Sequence, residues 1–266
     1  MTGRLPGETA GRSLSFDRIA SEYDATRGGE ERGARHAALI APLLDPAHPV
    51  LDLGAGTGAV SLGLRRAGFR VLGVDLSPAM LSHARRRLGP VVVNADASCL
   101  PLRDGSVAQA CSVWLLHLVG DLVSVAAEVR RVLRDDGRWV VVPAGGDVID
   151  ELDPISVITI PMARRLHGEG MVTSRPSLDR LGEVAGRAGL VVSEVVDTPT
   201  ARYAETPAEA ADKLERRIYS FLWNLDENTF TAQVAPVIAA LRALPDPDVA
   251  VRRSTATEHL VVLRPV

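Results

Sequence analysis

The chain has little sulfur, little aromatic surface and almost no lysine. Its two cysteines, Cys99 and Cys111, make no C-x-x-C pair, so a disulfide framework and a cysteine zinc site are both excluded from the reading. Aromatic residues are 4% of the sequence, yet the hydrophobic fraction is 46%, which describes an aliphatic core and not a disordered chain. No apolar run reaches the ~20 residues of a membrane helix, and the start, MTGRLPGETAGRS, has no apolar h-region of a secretory leader. Lys213 is the only lysine among 30 basic side chains, a bias that fits a GC-rich bacterial genome better than a phosphate-binding surface. With a net charge of -3, no basic field points to nucleic acid or to an anionic membrane. A cytoplasmic protein without resident metal is the expectation.

Periodicity organises the rest. Short β runs fall at Val50–Leu53, Arg70–Val74, Val91–Asn94, Val107–Val113 and Arg138–Val142, with amphipathic stretches near 58–67, 78–88 and 121–133 between them. Ser77-Pro78 and Asp121 are start signals for two of those helices. Continuous Val/Leu strands alternating with helices imply a parallel sheet covered on both faces. A helix near 177–188 and strands at Val191–Val196 and His259–Leu263 complete it, the last pair antiparallel. The spacing predicts a helical segment from Ser15 to about Leu44, with Phe16, Ile19, Ala20 and Tyr23 on one side. Thr206-Pro207-Ala208-Glu209 reads as a capping box, followed by an apolar stripe from Ala211 to Leu225 and a second helix over 231–243. The expected organisation is an N-terminal helical cap over 1–45, a core over 46–143, and over 144–266 the remainder of the sheet with helical insertions, all in one domain. Residues 144–176 and 200–250 are the insertions expected to form a lid.

The chemistry concentrates in VLDLGAGTG. A strand that ends in a glycine turn and enters a helix gathers backbone N–H groups and the positive helix end at one spot. Gly54, Gly56 and Gly58 let a ligand lie against the main chain. Asp75 ends the next strand about 20 residues on, where a carboxylate accepts from both ribose hydroxyls. A nucleoside cofactor follows. Gly54, Gly56 and Ala59 also satisfy the relaxed dinucleotide fingerprint, which keeps a nicotinamide enzyme open. Three features favour S-adenosylmethionine. Asp52 beside the loop repels a pyrophosphate but suits an ammonium group. Asp96, in NADAS after the third strand, can accept from an adenine amino group. No Tyr-x-x-x-Lys hydride-transfer set is present in a chain whose lone lysine is Lys213.

In this order, FDRIASEYDATR, VLDLGAGTG, VLGVDLSPAML, ADASCLPLRDGS, SVWLLHLVGD and EVRRVLRDDGRWVVV resemble the small-molecule class I methyltransferases, the group that includes ubiquinone and menaquinone biosynthesis enzymes. The resemblance covers Phe16 to Val142. It implies a Rossmann-like α/β fold, a seven-stranded, mostly parallel sheet with one antiparallel strand. It also implies S-adenosyl-L-methionine as cofactor, and methyl transfer to a small-molecule acceptor. Carried over, Gly54, Ala55 and Gly56 would line the methionine portion, and Asp75 would hold the ribose. Leu76 and Met80 would pack on the adenosine, Asp96 and Ala97 would meet the adenine, and Ser112 would present backbone to the methionine end. Tyr23 and Arg27 match the N-terminal segment that folds over the methionine carboxylate. The chain departs from the family pattern at Val107-Ala108, where an acid is usual, and at Asp135-Asp136-Gly137, where Pro-Gly-Gly is usual.

For an acidic acceptor His117, in WLLHLV after the fourth strand, is the candidate base, with a pocket-shaping histidine as the alternative. His36 and His167 are expected at the surface. Tyr219, Phe221, Trp223, Met162 and Met171 fall in the insertions, where packing is a better expectation than an acceptor pocket. A non-catalytic module that binds the cofactor and transfers nothing also fits these residues.

Overall fold

A computed structural model of the 266-residue chain describes residues 16–17, 20–143, 153–168, 177–199, 202–223, 225–254 and 259–266. The chain forms two compact units, one from 1–144, 175–198 and 259–266, the other from 145–174 and 199–258.

The first unit is built on a seven-stranded sheet. In chain order its strands are β1 (Val50–Leu53), β2 (Val71–Asp75), β3 (Val92–Asn94), β4 (Val107–Val113), β5 (Leu133–Val142), β6 (Leu190–Asp197) and, closing the chain, β9 (His259–Pro265). Their spatial order is β3-β2-β1-β4-β5-β9-β6. Only β9 is antiparallel to its neighbours, wedged between β5 and β6, so the sheet is the one expected. β7 (Arg202–Glu205) and β8 (Val251–Ser254), in the second unit, pair as an antiparallel ribbon. That ribbon joins segments 45 residues apart and too short to carry a periodic signal, so the sequence reading missed it.

The helices are α1 (Tyr23–Arg27), α2 (Gly29–Ile40), α3 (Ala59–Arg66), α4 (Pro78–Leu88), α5 (Leu122–Val132), α6 (Pro154–Gly168), α7 (Leu178–Arg187), α8 (Pro207–Glu215) and α9 (Ala235–Arg242). Two-residue alternation sorts each strand between the faces. Leu51, Leu53, Ala110, Trp139 and Val141 pack under α5 and α7, whereas Val50, Cys111, Val140 and Val142 pack with Ala37, Ile40 and Leu64 of α2 and α3. Asp52 shares the second face, which brings it to Ser61 of α3.

The helix expected over 231–243 is α-helical only over Ala235–Arg242, preceded by a π-helical turn at Phe230–Val234 and a short helix at Glu227–Thr229. Three other elements depart further from the expected spans. The single N-terminal helix is broken at Gly28, which takes φ +79° and separates α1 from α2. β5 starts at Leu133 and not Arg138, because Leu133 pairs with Val107 and Arg138 with Gln109, so that Arg134 to Gly137 form an unpaired bulge between the two pairs. The stripe behind Thr206 is only partly helical: α8 ends at Glu215, and Ile218, Leu222 and Leu225 are buried from a turn region beyond it. The capping box itself forms, Thr206 and Glu209 each accepting the other's backbone N–H.

α2 crosses α3 on glycines. A Cβ on Gly33 would stand 2.4 Å from the carbonyl carbon of Ala59, and one on Gly63 would stand 2.6 Å from the Ala37 Cβ. This contact holds the N-terminal helices against the start of α3, beside the glycine turn.

In the second unit Met162, Leu166, Ala211, Leu214, Leu222, Val237, Ile238 and Leu241 form a separate core. A buried ion network ties its two segments together. Arg253 is bonded to Asp153 through Nε (2.5 Å), to Glu205 through Nη1 and to the Ser156 hydroxyl through Nη2 (3.0 Å), and Lys213 reaches the other oxygen of Glu205 at 2.7 Å.

Candidate active site

The sheet's strand order reverses at β1, whose two neighbours are β2 and β4. Chains leaving the carboxyl ends of such neighbours go to opposite faces, and a crevice opens between them. A cavity of ≈ 290 Å³ lies there. It is lined by Gly54 and Gly56 after β1, Asp75 to Ser77 and Met80 after β2, Ala95 to Ser98 after β3, and Val113 to Leu115 after β4. Phe16 and Tyr23 from the N-terminal segment, and Leu118, Val119, Gly120 and Val125, complete it.

The glycine turn is wound so that side chains are impossible. Gly54, Gly56 and Gly58 have φ of +71°, +55° and +81°, a region L-residues avoid. A Cβ on Gly54 would come within 2.9 Å of the Leu115 side chain, whereas one on Gly56 would meet nothing closer than 4.0 Å. The space beside Gly56 is therefore open to a ligand.

Asp75 fixes this turn while facing the crevice. Its Oδ2 accepts from Gly56 N at 2.8 Å and its Oδ1 from Ser77 N at 2.8 Å. Burial raises its pKa from the ordinary value, against the backbone N–H groups of Ser77, Gly56 and Leu76. A carboxylate offers about four lone-pair sites, so three backbone donors do not exhaust it. Asn94 donates to the carbonyls of Asp75 and Leu76, both at 2.9 Å, and holds this corner from β3.

Asp96 spends Oδ1 on the amide and hydroxyl of Ser98, at 2.8 and 2.7 Å. The loop after it is braced by α5: Glu128 accepts from Leu100 N at 2.6 Å, and Arg131 donates to the carbonyls of Leu100 and Leu102. Glu128 and Arg131 escaped the sequence reading, and only their i, i+3 spacing hinted at a pair.

A smaller cavity of ≈ 70 Å³ adjoins the first and shares Tyr23, Gly54, Gly56, Val113 and Trp114 with it. Arg27, Asp52, Ala55 and Thr57 line only this one. Asp52 is wholly buried; Ser61 donates to its Oδ2 at 2.5 Å, and the Cys111 thiol lies 3.7 Å from Oδ1. Burial pushes its carboxyl up to about 6, and that of the Cys111 thiol well above the ordinary thiol value. Trp114 is held at φ +53°, an unusual conformation for a bulky residue. Its ring lies under the Arg32 guanidinium and edge-on to His36 at 4.6 Å, and its buried Nε1 has no hydrogen-bond partner among the described residues.

The sequence-predicted residues thus divide. Tyr23, Gly54, Gly56, Asp75, Leu76, Met80, Asp96 and Ala97 meet around the larger cavity, and Arg27, Asp52 and Ala55 around the smaller. Ser112 lines neither; it is fully buried, and its hydroxyl accepts from Trp139 Nε1 at 3.1 Å. His117 also lines neither. His36, expected at the surface, is buried on α2 against Trp114. The aromatic residues of the second unit pack on each other, Tyr219 stacking on Phe221 at 5.6 Å, and Trp223 Nε1 donates to the Arg217 carbonyl at 2.7 Å. Met171 lies outside the described residues, as does the side chain of His167. No cluster of three potential metal ligands occurs among the described residues.

A family profile described as a methyltransferase domain matches residues 51–141. Malonyl-[acyl-carrier protein] O-methyltransferase of Geobacter sulfurreducens is 32% identical over 200 residues, covering 71% of this chain and 73% of that protein. The chain belongs to the S-adenosylmethionine-dependent methyltransferases. Demethylmenaquinone methyltransferase of Beutenbergia cavernae is 37% identical over 141 residues, and there the alignment spans only 58% of the relative. A methyltransferase structure from Bacillus halodurans superposes on this methyltransferase with a TM-score of 0.56 at 15% identity, covering 86% of this chain and 99% of that one. Geranyl diphosphate methyltransferase in complex with its cofactor superposes with a TM-score of 0.51 at 21% identity, covering 88% of this chain and 85% of that one. At these identities the likeness is one of fold.

The residues present fit the family's cofactor. The wall beside Gly56 is open, the Asp75 carboxylate lines the crevice, where it can accept from a hydroxyl, and the buried Trp114 N–H has no acceptor among the described residues. Among the described residues no helix is long and apolar enough to cross a membrane.

Proposed function

We propose that this methyltransferase moves a methyl group to a small, apolar acceptor, chiefly by holding donor and acceptor in line. The reading rests above all on one observation. One cavity is lined both by Gly56, Asp75, Met80 and Asp96 and by the apolar side chains of Phe16, Val113, Leu115, Leu118 and Val119.

S-adenosylmethionine, when bound, supplies an electrophilic methyl on a sulfonium that is already a good leaving group. The chain's own residues then have little bond chemistry to perform. In this reading Asp75 accepts from the ribose hydroxyls, Leu76 and Met80 pack on the adenosine, and Asp96 and Ala97 meet the adenine. Gly54, Ala55 and Gly56 border the methionine portion, Arg27 and Tyr23 serve its carboxylate, and Asp52 its ammonium group; Ser112, which lines neither cavity, is given no role. The apolar wall excludes water and orients the acceptor, which is where rate is gained when bond-making needs only alignment.

The relatives' names speak of malonyl-acyl carrier protein and of demethylmenaquinone; the apolar wall favours an acceptor of the second kind. No proton is routed through His117 here, since it lines neither cavity. A His117→Ala variant is expected to keep turnover within about threefold and an unchanged pH profile. A lost alkaline or acidic limb would reinstate it as the base.

The test is a labelled-methyl transfer assay against apolar quinone-like and acyl acceptors, beside thermal shifts with S-adenosylhomocysteine and NADH. Stabilisation by S-adenosylhomocysteine with label in an apolar product is expected. Stabilisation by NADH alone would overturn the reading, and binding without transfer to any acceptor would favour a binding module.

A further inference from the structure

The N-terminal segment meets the crevice at two carboxylates that no ligand-binding assignment uses. Asp17 accepts from the Ser77 hydroxyl at 2.5 Å and from Ala79 N at 3.1 Å, at the start of α4. Asp24, in α1, accepts through Oδ1 from the Thr57 hydroxyl at 2.6 Å and through Oδ2 from Arg87 Nη2. Arg87 closes the triangle by donating from Nη1 to the Thr57 carbonyl at 2.8 Å. Thr57 belongs to the glycine turn and is buried, while the Asp24 and Arg87 side chains are 26% and 19% exposed. The aromatic rings that directly precede these anchors, Phe16 and Tyr23, lie 6.3 Å apart and line the crevice.

α1 is five residues long and buries no side chain completely. An isolated helix of that length does not hold itself together. Its position has to come from what it is tied to, and among its described contacts the charged, partly buried bonds of Asp24 are the strong ones. The tie is made to the turn that borders the cofactor. The crevice wall that Tyr23 supplies is therefore mechanically coupled to the glycine turn.

We infer that Asp24, Thr57 and Arg87 form a latch that holds α1 and Tyr23 over the crevice and sets how fast the cofactor product leaves. Asp24 borders the smaller cavity, but its two oxygens are engaged by Thr57 and Arg87, and it acts as a positioning residue through Thr57 and Tyr23. The inference deepens the proposed function, since it concerns the same crevice.

Two measurements on the full chain test it. In hydrogen exchange, peptides covering residues 20–28 should exchange about tenfold faster in Asp24→Ala and in Thr57→Val, with the sheet peptides unchanged. In stopped-flow displacement, S-adenosylhomocysteine should leave about tenfold faster from each variant, with association not slowed. The double variant should be no faster than either single one, because the two residues act as one unit. Thr57→Ser keeps the hydroxyl and should restore both rates, and Asp24→Asn provides a milder loss should Asp24→Ala fail to fold.

Unchanged exchange over 20–28 overturns the latch. So does unchanged dissociation, or a double variant with a multiplied, roughly hundredfold effect. If the unaltered protein bound no S-adenosylhomocysteine at all, the proposed function would fall, while hydrogen exchange would still decide whether the latch exists.

Discussion

Asp52 carries a prediction whose size follows from its surroundings. It sits in β1 with both oxygens engaged, by Ser61 and by Cys111, and burial lifts its pKa from 3.8 to about 6. Between those values the folded protein keeps a proton that the unfolded chain has released. Stability from this group therefore falls as pH rises through that window, and is flat above about 6. The shift corresponds to roughly 3 kcal/mol of destabilisation at neutral pH. Asp52→Asn keeps an oxygen that accepts from Ser61 and carries no charge, so it removes the penalty. In urea unfolding, the variant's advantage over the unaltered protein should grow by about 2 kcal/mol from pH 4.5 to 6.5 and stay constant to pH 8. Carbon NMR of the carboxyl should show a midpoint near 6 that the variant lacks. A midpoint near 4, or an advantage independent of pH, would refute the argument that burial outweighs the Ser61 bond. If Asp52 serves the cofactor's ammonium group, S-adenosylhomocysteine should also bind more weakly below about pH 6, where the carboxyl is neutral.

Three further outcomes are expected. Asp75→Ala removes the acceptor for Gly56 N and Ser77 N together with the proposed ribose contact; calorimetry should show S-adenosylhomocysteine affinity reduced at least a hundredfold, and near-normal affinity would break the ribose assignment. Gly33→Ala drives a methyl group against the Ala59 backbone; it should cost about 1–3 kcal/mol of stability, read as a lower melting temperature that Gly182→Ala, where a Cβ meets nothing, does not share. Arg253→Met strands the buried Asp153 and leaves the buried Glu205 with Lys213 alone; a loss of about 3–5 kcal/mol is expected, seen as faster hydrogen exchange in β7, β8 and α8 with the main sheet unaffected.

What could be read from the sequence depended on how local its cause is. The glycine turn, the capping signals at Ser77, Asp121 and Thr206, and the Asp75 position are set by a few neighbouring residues, and the side chains of all three caps bind the expected backbone N–H groups. The break at Gly28 was equally local, since Gly28-Gly29 interrupts the helical pattern; periodicity on both sides hid it. The β5 start was misread for a related reason. Asp135-Asp136-Gly137 has turn composition and bulges out unpaired, and only the Leu133–Val107 pair before it extends the strand back.

The contacts that shape the site's walls are of another kind. Thr57 meets Asp24 across 33 residues and Arg87 meets Asp24 across 63. No spacing rule connects such pairs, because their meeting depends on which helix the fold lays beside which loop. Asp52 shows where the two regimes join. Its place beside the glycine turn was legible, and strand alternation already turns it toward the α3 face. That Ser61 and Cys111 would occupy its oxygens required the packed structure, and with it came the burial that makes the carboxylate costly to keep ionised. A charge kept there against that cost is easier to understand beside a cationic ligand than as part of a core, and so the Asn variant weighs stability and binding against each other at one atom.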